Sequence, residues 1–219
     1  MTGVIFDVDG VLLDSMPVWM HAGEYYLESK GKQPEENLGN KLFCMSMQEG
    51  AYYLKERWQL SESVEKICEE INQVVIDYYK RSIPLKAGVI DTLESLKQKN
   101  IPMVIATSSD EHIVRAAFQR LGITSYFQRI FTCTEIGVGK NAPDIFLAAA
   151  EYIRSITDAD WKGNLDIYVV EDSLFAAKTA KEAGFSVIGI YDEASHHTWE
   201  TLCKVADRNG REMKTELFL

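Results

Sequence analysis

The sequence predicts an α/β protein, a Rossmann-like doubly wound parallel sheet interrupted near its start by a small all-helical domain. Three observations lead there. From Pro84 onward, short apolar, β-prone runs alternate with helical periodicity in regular βαβα order, the pattern of a parallel sheet with helices on both faces. One further strand-like run, Val4 to Phe6, stands far from the others at the N-terminus. Between them, from Glu35 to about Ile83, the chain is polar and helical, with apolar positions recurring at three and four residues and no obvious strand. The expected division is a core of residues 1–14 and 84–219 and an inserted helical cap domain of residues 15–83.

Each element has a local reason. Val4, Ile5 and Phe6 read as a buried strand, and Gly10 supplies the turn that ends it. Pro17 suits a first helical turn and Ser15 can cap it, so a helix follows through Lys30 until Gly31 and Pro34 stop it. MSMQEGAYYLKERW and SESVEKICEEINQVVIDYYKR are helical, the second starting at Ser61 with Val64 and Glu65 behind it. A helix from about Ala87 to Lys99 then leads into the strand PMVIATS. The helix EHIVRAAFQRLG, the strand RIFTC, the helix APDIFLAAAEYIR, the strand LDIYVVED, the helix LFAAKTAKEAG and the strand SVIGIYD complete the alternation. One more helix is expected near His197 to Ala206. There is no internal repeat and no Pro/Gly/Ser-rich linker.

At 219 residues and 46% hydrophobic, the chain is long enough for a sizeable core and a smaller second unit. Its 33 acids against 23 Lys and Arg give a net charge of −10, which argues against a nucleic-acid groove or a polybasic membrane patch. A phosphorylated substrate would need local positive charge from a metal or a placed Lys. Cys44, Cys68, Cys133 and Cys203 are scattered without metal-site spacing, so neither zinc nor a disulfide frame is expected. No apolar run approaches the ~20 residues of a membrane span, and Met1 leads straight into the strand without a signal-like region. A soluble, cytoplasmic monomer is the expectation.

Chemistry gathers at four strand ends. In an open α/β sheet, ligands collect beyond the carboxyl ends of the strands. Asp7 and Asp9 follow the first strand. Were it extended that far, period two would set both carboxylates on one face, where they repel unless a divalent metal or a held proton intervenes. The alternative is a solvated Asp/Gly turn. VIATSSD ends in Thr107, Ser108 and Ser109, hydroxyls that suit a phosphate at a helix start, although Ser109 or Asp110 would serve equally as a helix cap. In GVGKNAPDIF, Lys140 either neutralises a phosphoryl or carboxylate oxygen or is simply solvated. In VVEDS, Glu171 and Asp172 follow an apolar run. Adjacent acids there are costly without a cation, and oxygen ligands suit Mg²⁺, with a helix cap from Asp172 or Ser173 as the plain alternative. Taken together, the four describe one crevice with a metal at one side and a phosphate held against it.

With these motifs in place, the chain resembles the haloacid dehalogenase-like superfamily of phosphotransferases, in the branch of β-phosphoglucomutase and small sugar phosphatases. DVDGVLLDS, ATSSD, GKNAPDIF and VVEDS occur in the family's order and at its separations over nearly the whole chain. The resemblance implies a Mg²⁺-dependent phosphatase acting on a small phosphorylated metabolite. Asp7 would be the nucleophile that forms an aspartyl-phosphate, and Asp9 the general acid and base. Thr107 and the Ser108 backbone would hold the phosphate, and Lys140 would offset charge between it and Asp7. The Mg²⁺ shell would comprise Asp7, the main-chain carbonyl of Asp9, and Asp172 with Glu171 beside it. The helical insert would be the cap that excludes water and contacts the rest of the substrate.

Departures from the pattern bear on the reaction. Trp19 stands where mutase-like sequences carry His, although His21 is close, and Met47 stands where they carry an Arg for a second phosphate, with Lys41 as a conceivable substitute. Asn141 replaces the usual Pro after Lys140. These favour a monophosphate phosphatase, with a β-phosphoglucomutase-type phosphomutase as the alternative and a non-catalytic phosphometabolite-binding module as a remoter one. Haloalkanoate dehalogenation needs neither Asp9 nor the Glu171–Asp172 pair, and a phosphorylatable receiver has no helical insert. The aromatics Trp19, Tyr52, Tyr53 and Trp58 are expected to be helix-packing core.

Overall fold

The computed structural model describes residues 1–43, 45–157 and 163–218, so Cys44 lies outside the described residues. The elements follow in chain order: β1 (Gly3–Phe6), α1 (Met16–Ser29), α2 (Leu38–Phe43), α3 (Met47–Trp58), α4 (Val64–Arg81), α5 (Val89–Gln98), β2 (Met103–Thr107), α6 (Glu111–Leu121), β3 (Arg129–Thr132) and α7 (Cys133–Ile136). Then come α8 (Asp144–Ser155), β4 (Ile167–Glu171), α9 (Leu174–Glu182), β5 (Ser186–Ile190), α10 (Trp199–Val205) and β6 (Arg208–Gly210), with short 3-10 turns between some of them. The chain divides into two compact units, Met1–Asp14 with Ile83–Leu219, and Ser15–Ser82. Ile83 thus falls with the larger unit, one residue from the expected boundary.

The larger unit is α/β. Its strands lie in the order β3-β2-β1-β4-β5-β6, and every neighbouring pair is parallel. From β1 the chain adds β2 and β3 on one side, then returns to add β4, β5 and β6 on the other. The strand order therefore reverses between β1 and β4, where such sheets open a crevice for ligands. β1 is central because Val4, Ile5 and Phe6 are apolar on both faces, and none of the three is exposed. Ile5 packs with Val104, Ala106 and Val169 against α8 and α9, whose Ile145, Ala149, Ala176 and Ala180 are buried. Phe6 points to the opposite face, its ring 6.1 Å from Phe127 and 6.0 Å from Phe218.

Ser15–Ser82 contains α1 to α4. Tyr26, Leu27, Leu54, Ile67, Val75 and Tyr79 form its buried side, repeating at helical spacing. Ser46 and Glu49 close a reciprocal capping box on α3. α4 begins at Val64, capped by Ser63, whose Oγ accepts the Lys66 N–H, and not at Ser61. Ser15 precedes α1 but makes no side-chain cap, because its backbone is already helical (φ −98°, ψ −19°) where a capping residue must be extended. Trp19 donates through Nε1 to the Tyr79 hydroxyl at 2.9 Å, and Tyr53 meets Trp58 edge to face. Trp19, Tyr53 and Trp58 are half-buried and Tyr52 is 59% exposed, so none of these four aromatics lies in the fully buried core, against expectation. No helix among the described residues is long and apolar enough to cross a membrane. Cys68, Cys133 and Cys203 are free thiols.

Candidate active site

The β1/β4 register pairs Phe6 with Val170, so the next step sets Asp7 beside Glu171. The Asp7 N–H extends the ladder, donating to the Val170 carbonyl at 3.0 Å. Lys140 enters from the loop before α8. Its Nζ donates to Asp7 Oδ1 at 2.5 Å and to Glu171 Oε1 at 2.7 Å, with the lysine side chain 4% exposed. It is not a solvated loop lysine. Asp7, Glu171 and Asp172 each present a carboxylate oxygen, and these oxygens lie within 4.8 Å of one another.

Gly10 makes the close approach of Asp172 possible. Its φ of +78° is left-handed, and a Cβ there would come within 2.6 Å of Asp172 Oδ2. Asp110 and Ser173 occupy the cap positions of α6 and α9, but neither makes a side-chain cap hydrogen bond. Helix capping therefore does not account for them. Ser195 Oγ approaches Asp172 Oδ2 at 3.4 Å from the turn after β5.

On the β2 side, Thr107 is fully buried, and its Oγ1 accepts the Ser109 N–H at 3.0 Å. Ser108 is exposed, its Oγ 3.5 Å from Cys133 Sγ. Ser109 Oγ donates to Asp9 Oδ2 at 2.6 Å, which turns the Asp9 side chain toward the β2 loop. The Asp9 carboxylate is accordingly not among the three clustered ones, and its expected share in a metal shell was through the main chain. The sequence offers Ser109 as a phosphate hydroxyl or a helix cap, and its hydroxyl instead bonds Asp9. Nothing local marks a bond to a residue so distant in the chain.

Burial, opposed by Lys140 and reinforced by Glu171 and Asp9, pushes the Asp7 carboxyl up to about 7. Burial likewise raises Asp172 well above the usual carboxylate range, with Glu171, Asp7 and Asp192 adding to it. Burial works against the charge on Lys140, but Asp7 and Glu171 more than offset it and hold the ammonium protonated. Asp7 and Glu171 thus share one buried ammonium, with the Asp172 carboxylate beside them. Their donor set is all oxygen and carries an excess of negative charge, which fits a hard divalent cation such as Mg²⁺.

In the helical unit, Trp19 and Met47, the two positions that depart from the mutase-like pattern, line one cavity of about 250 Å³ together with Met20, Leu42, Met45 and Leu54. No charged side chain lines it among the described residues. Lys41 is not in that lining, and its Nζ engages the Tyr53 hydroxyl at 2.6 Å and Glu35 at 3.5 Å.

Residues 4–190 match the family model of haloacid dehalogenase-like hydrolases. A phosphorylated carbohydrates phosphatase of Thermotoga maritima is 28% identical over 188 residues, 86% of this chain and 84% of that one. A (DL)-glycerol-3-phosphatase of Arabidopsis thaliana is 30% identical over 88% of this chain and 80% of its own length. Among solved structures, a Thermotoga maritima protein described as a candidate β-phosphoglucomutase superposes with a TM-score of 0.81 at 26% identity, over 99% of this chain and 96% of that one. With a sheet whose crevice gathers these acids and Lys140, and a match of this extent, the chain belongs to the haloacid dehalogenase-like hydrolase family, in its β-phosphoglucomutase-like branch.

Proposed function

We propose that this hydrolase is a Mg²⁺-dependent phosphatase that cleaves a small phosphorylated metabolite, a sugar phosphate or similar monophosphate, through an aspartyl-phosphate on Asp7. The observation that carries the reading is the convergence of Asp7, Glu171 and Asp172 around the ammonium of Lys140. Asp7, Glu171 and Asp172 would hold the cation, with the main-chain carbonyl of Asp9. When bound, magnesium supplies positive charge that lets an anionic carboxylate approach an anionic phosphate.

The chain's own groups divide the remaining work. The Thr107 hydroxyl, the Ser108 N–H and Lys140 Nζ hold the phosphoryl oxygens. An Asp7 carboxylate oxygen attacks phosphorus as the bond to the leaving oxygen breaks, and Asp9 gives that oxygen its proton. Asp9 then takes a proton from water as the water oxygen attacks the phosphoryl group, which releases inorganic phosphate and restores Asp7. Ser109, bonded to Asp9 Oδ2, fixes the direction of that acid. The helical unit is the cap that excludes water and selects the substrate. A monomer in the cytoplasm completes the proposal.

The uncharged cavity around Trp19 and Met47 supports a single-phosphate substrate over a bisphosphate. Resemblance to the β-phosphoglucomutase-like structure keeps a phosphomutase as the second reading. Phosphate release from p-nitrophenyl phosphate and from a panel of phosphorylated metabolites, with and without Mg²⁺, tests the first. Folded protein that releases none with the metal overturns it. Interconversion of β-glucose 1-phosphate and 6-phosphate with a trace of bisphosphate would favour the mutase instead.

A further inference from the structure

Asp192 is a buried acid that the proposed reaction does not use, 4% exposed in the turn after β5. Its Oδ1 accepts the Ala194 N–H at 3.0 Å, and its Oδ2 accepts Lys86 Nζ at 2.6 Å. Lys86 donates also to the Tyr191 carbonyl at 2.8 Å. The Lys86 main chain is fastened elsewhere, its N–H reaching the Leu12 carbonyl at 3.0 Å in the loop that carries Asp7 and Asp9. Beside it, Leu85 bridges Leu13 and the Asp14 N–H donates to the Pro84 carbonyl. Within the turn, the Ser195 N–H closes on the Asp192 carbonyl at 3.2 Å. That closure brings Ser195 Oγ to 3.4 Å from Asp172 Oδ2 and 3.3 Å from the Asp192 carbonyl.

We infer that Lys86 and Asp192 are a positioning pair for the cation site: they lock the turn of residues 191–195 to the Asp7–Asp14 loop, so that Ser195 orients Asp172. The physical need is plain. Asp172 follows β4, and the acids Glu171, Asp7 and Asp192 around it repel its charge. The one hydroxyl proton of Ser195, turned to Asp172 Oδ2 in place of the Asp192 carbonyl, favours one orientation of that carboxylate, and Lys86 offsets part of the charge that Asp192 presents to it. Outer partners of this kind set metal affinity by orienting the ligand.

The inference rests on the reading of Asp7, Glu171 and Asp172 as a divalent-cation site, and the test separates the two. Mn²⁺ binding to the purified full chain is titrated by electron paramagnetic resonance for wild type, Asp192→Ala, Ser195→Ala and the double variant. Each single substitution is expected to weaken Mn²⁺ about tenfold, and the double variant no further, because both act by one route. Ser195→Thr, which keeps the hydroxyl, retains wild-type binding. Should Asp192→Ala not fold, Asp192→Asn keeps the volume and an acceptor for Ala194 while losing the lysine pair, and is read the same way. A lowered melting temperature with unmoved Kd, or losses that multiply in the double variant, overturns the positioning role. If wild type binds no Mn²⁺, the cation reading falls and takes this inference with it.

Discussion

The two units contain the same arrangement of charges in opposite settings. In the sheet unit, Lys140 bridges Asp7 and Glu171 at 2.5 and 2.7 Å, with side chains 4%, 10% and 1% exposed. In the helical unit, Lys30 bridges Glu62 and Glu70, both at 2.8 Å, with side chains 29%, 24% and 29% exposed. The half-exposed trio ties the C-terminal end of α1 to the start of α4, and solvent screening leaves it a modest tether. The buried trio brings together two strand ends and the loop before α8, and sits in a place where ionised groups are expensive to maintain. Near-identical distances therefore say little about worth. What separates the trios is solvent, which dilutes one and turns the other into a charge-handling site.

The largest effect should come from neutralising one arm of the buried trio. Asp7→Asn keeps the volume and removes the proposed nucleophile, so turnover is expected to fall about 10⁴-fold or more. Stability should not fall with it. The Asp7 carboxyl is raised to about 7, so above that pH the native state carries an ionised form that folding disfavours, and the amide escapes this cost. Metal-free Asp7→Asn is therefore expected to melt no lower than wild type at pH 8. Activity within tenfold of wild type would remove the covalent route.

Lys140→Met should hurt twice. Without the ammonium, Asp7 and Glu171 lose their shared cation, and breaking a buried pair of this kind costs about 3–5 kcal/mol. Turnover should fall by about 10³, since in the proposed reaction the transferring phosphate would lose a charged donor. Urea unfolding of the metal-free protein checks the first figure, and added Mg²⁺ should recover part of it. A cost below about 1 kcal/mol would erase the contrast with the helical unit.

Ser109→Ala probes the same crevice more gently. The hydroxyl at 2.6 Å from Asp9 Oδ2 sets where the acid points, so kcat should fall roughly ten- to a hundredfold for substrates with poor leaving groups. p-Nitrophenyl phosphate, whose leaving group needs little protonation, should lose much less. Equal losses for both would mean that Ser109 does not act through Asp9.

These residues also show what a sequence can and cannot disclose. The five longer strands are legible because each is a run of apolar, largely β-branched residues, and the acids at their ends stand out against that background. Polar β6, only Arg208–Gly210, carries no such signal. It forms through pairing with β5 and the bond from Arg208 to the Leu217 carbonyl. Lys86 and Asp192 look like ordinary loop residues, and Ser109 reads as a phosphate hydroxyl or a helix cap, because their partners lie 100 or more positions away. The cap of α4 sits at Ser63 for a local reason, since its extended backbone aims Oγ at the Lys66 N–H.

The smallest effect belongs to the exposed trio and carries a pH signature of its own. Lys30 holds Glu62 down at about 2, against an ordinary value near 4.5. A carboxyl lowered by folding adds stability above its unfolded value and loses it as pH falls toward the folded one. Lys30→Met should therefore lower the melting temperature by about 1–3 °C near neutral pH. That difference should hold from pH 5 upward and shrink between pH 4.5 and 2, and raising the salt at pH 7 should shrink it too, because exposed charges are screened. A gap that persists unchanged at pH 2 would mean that Lys30 stabilises α1 and α4 by packing its aliphatic stem, 5.5 Å from the Tyr26 ring centroid at its amine, and not by its charge.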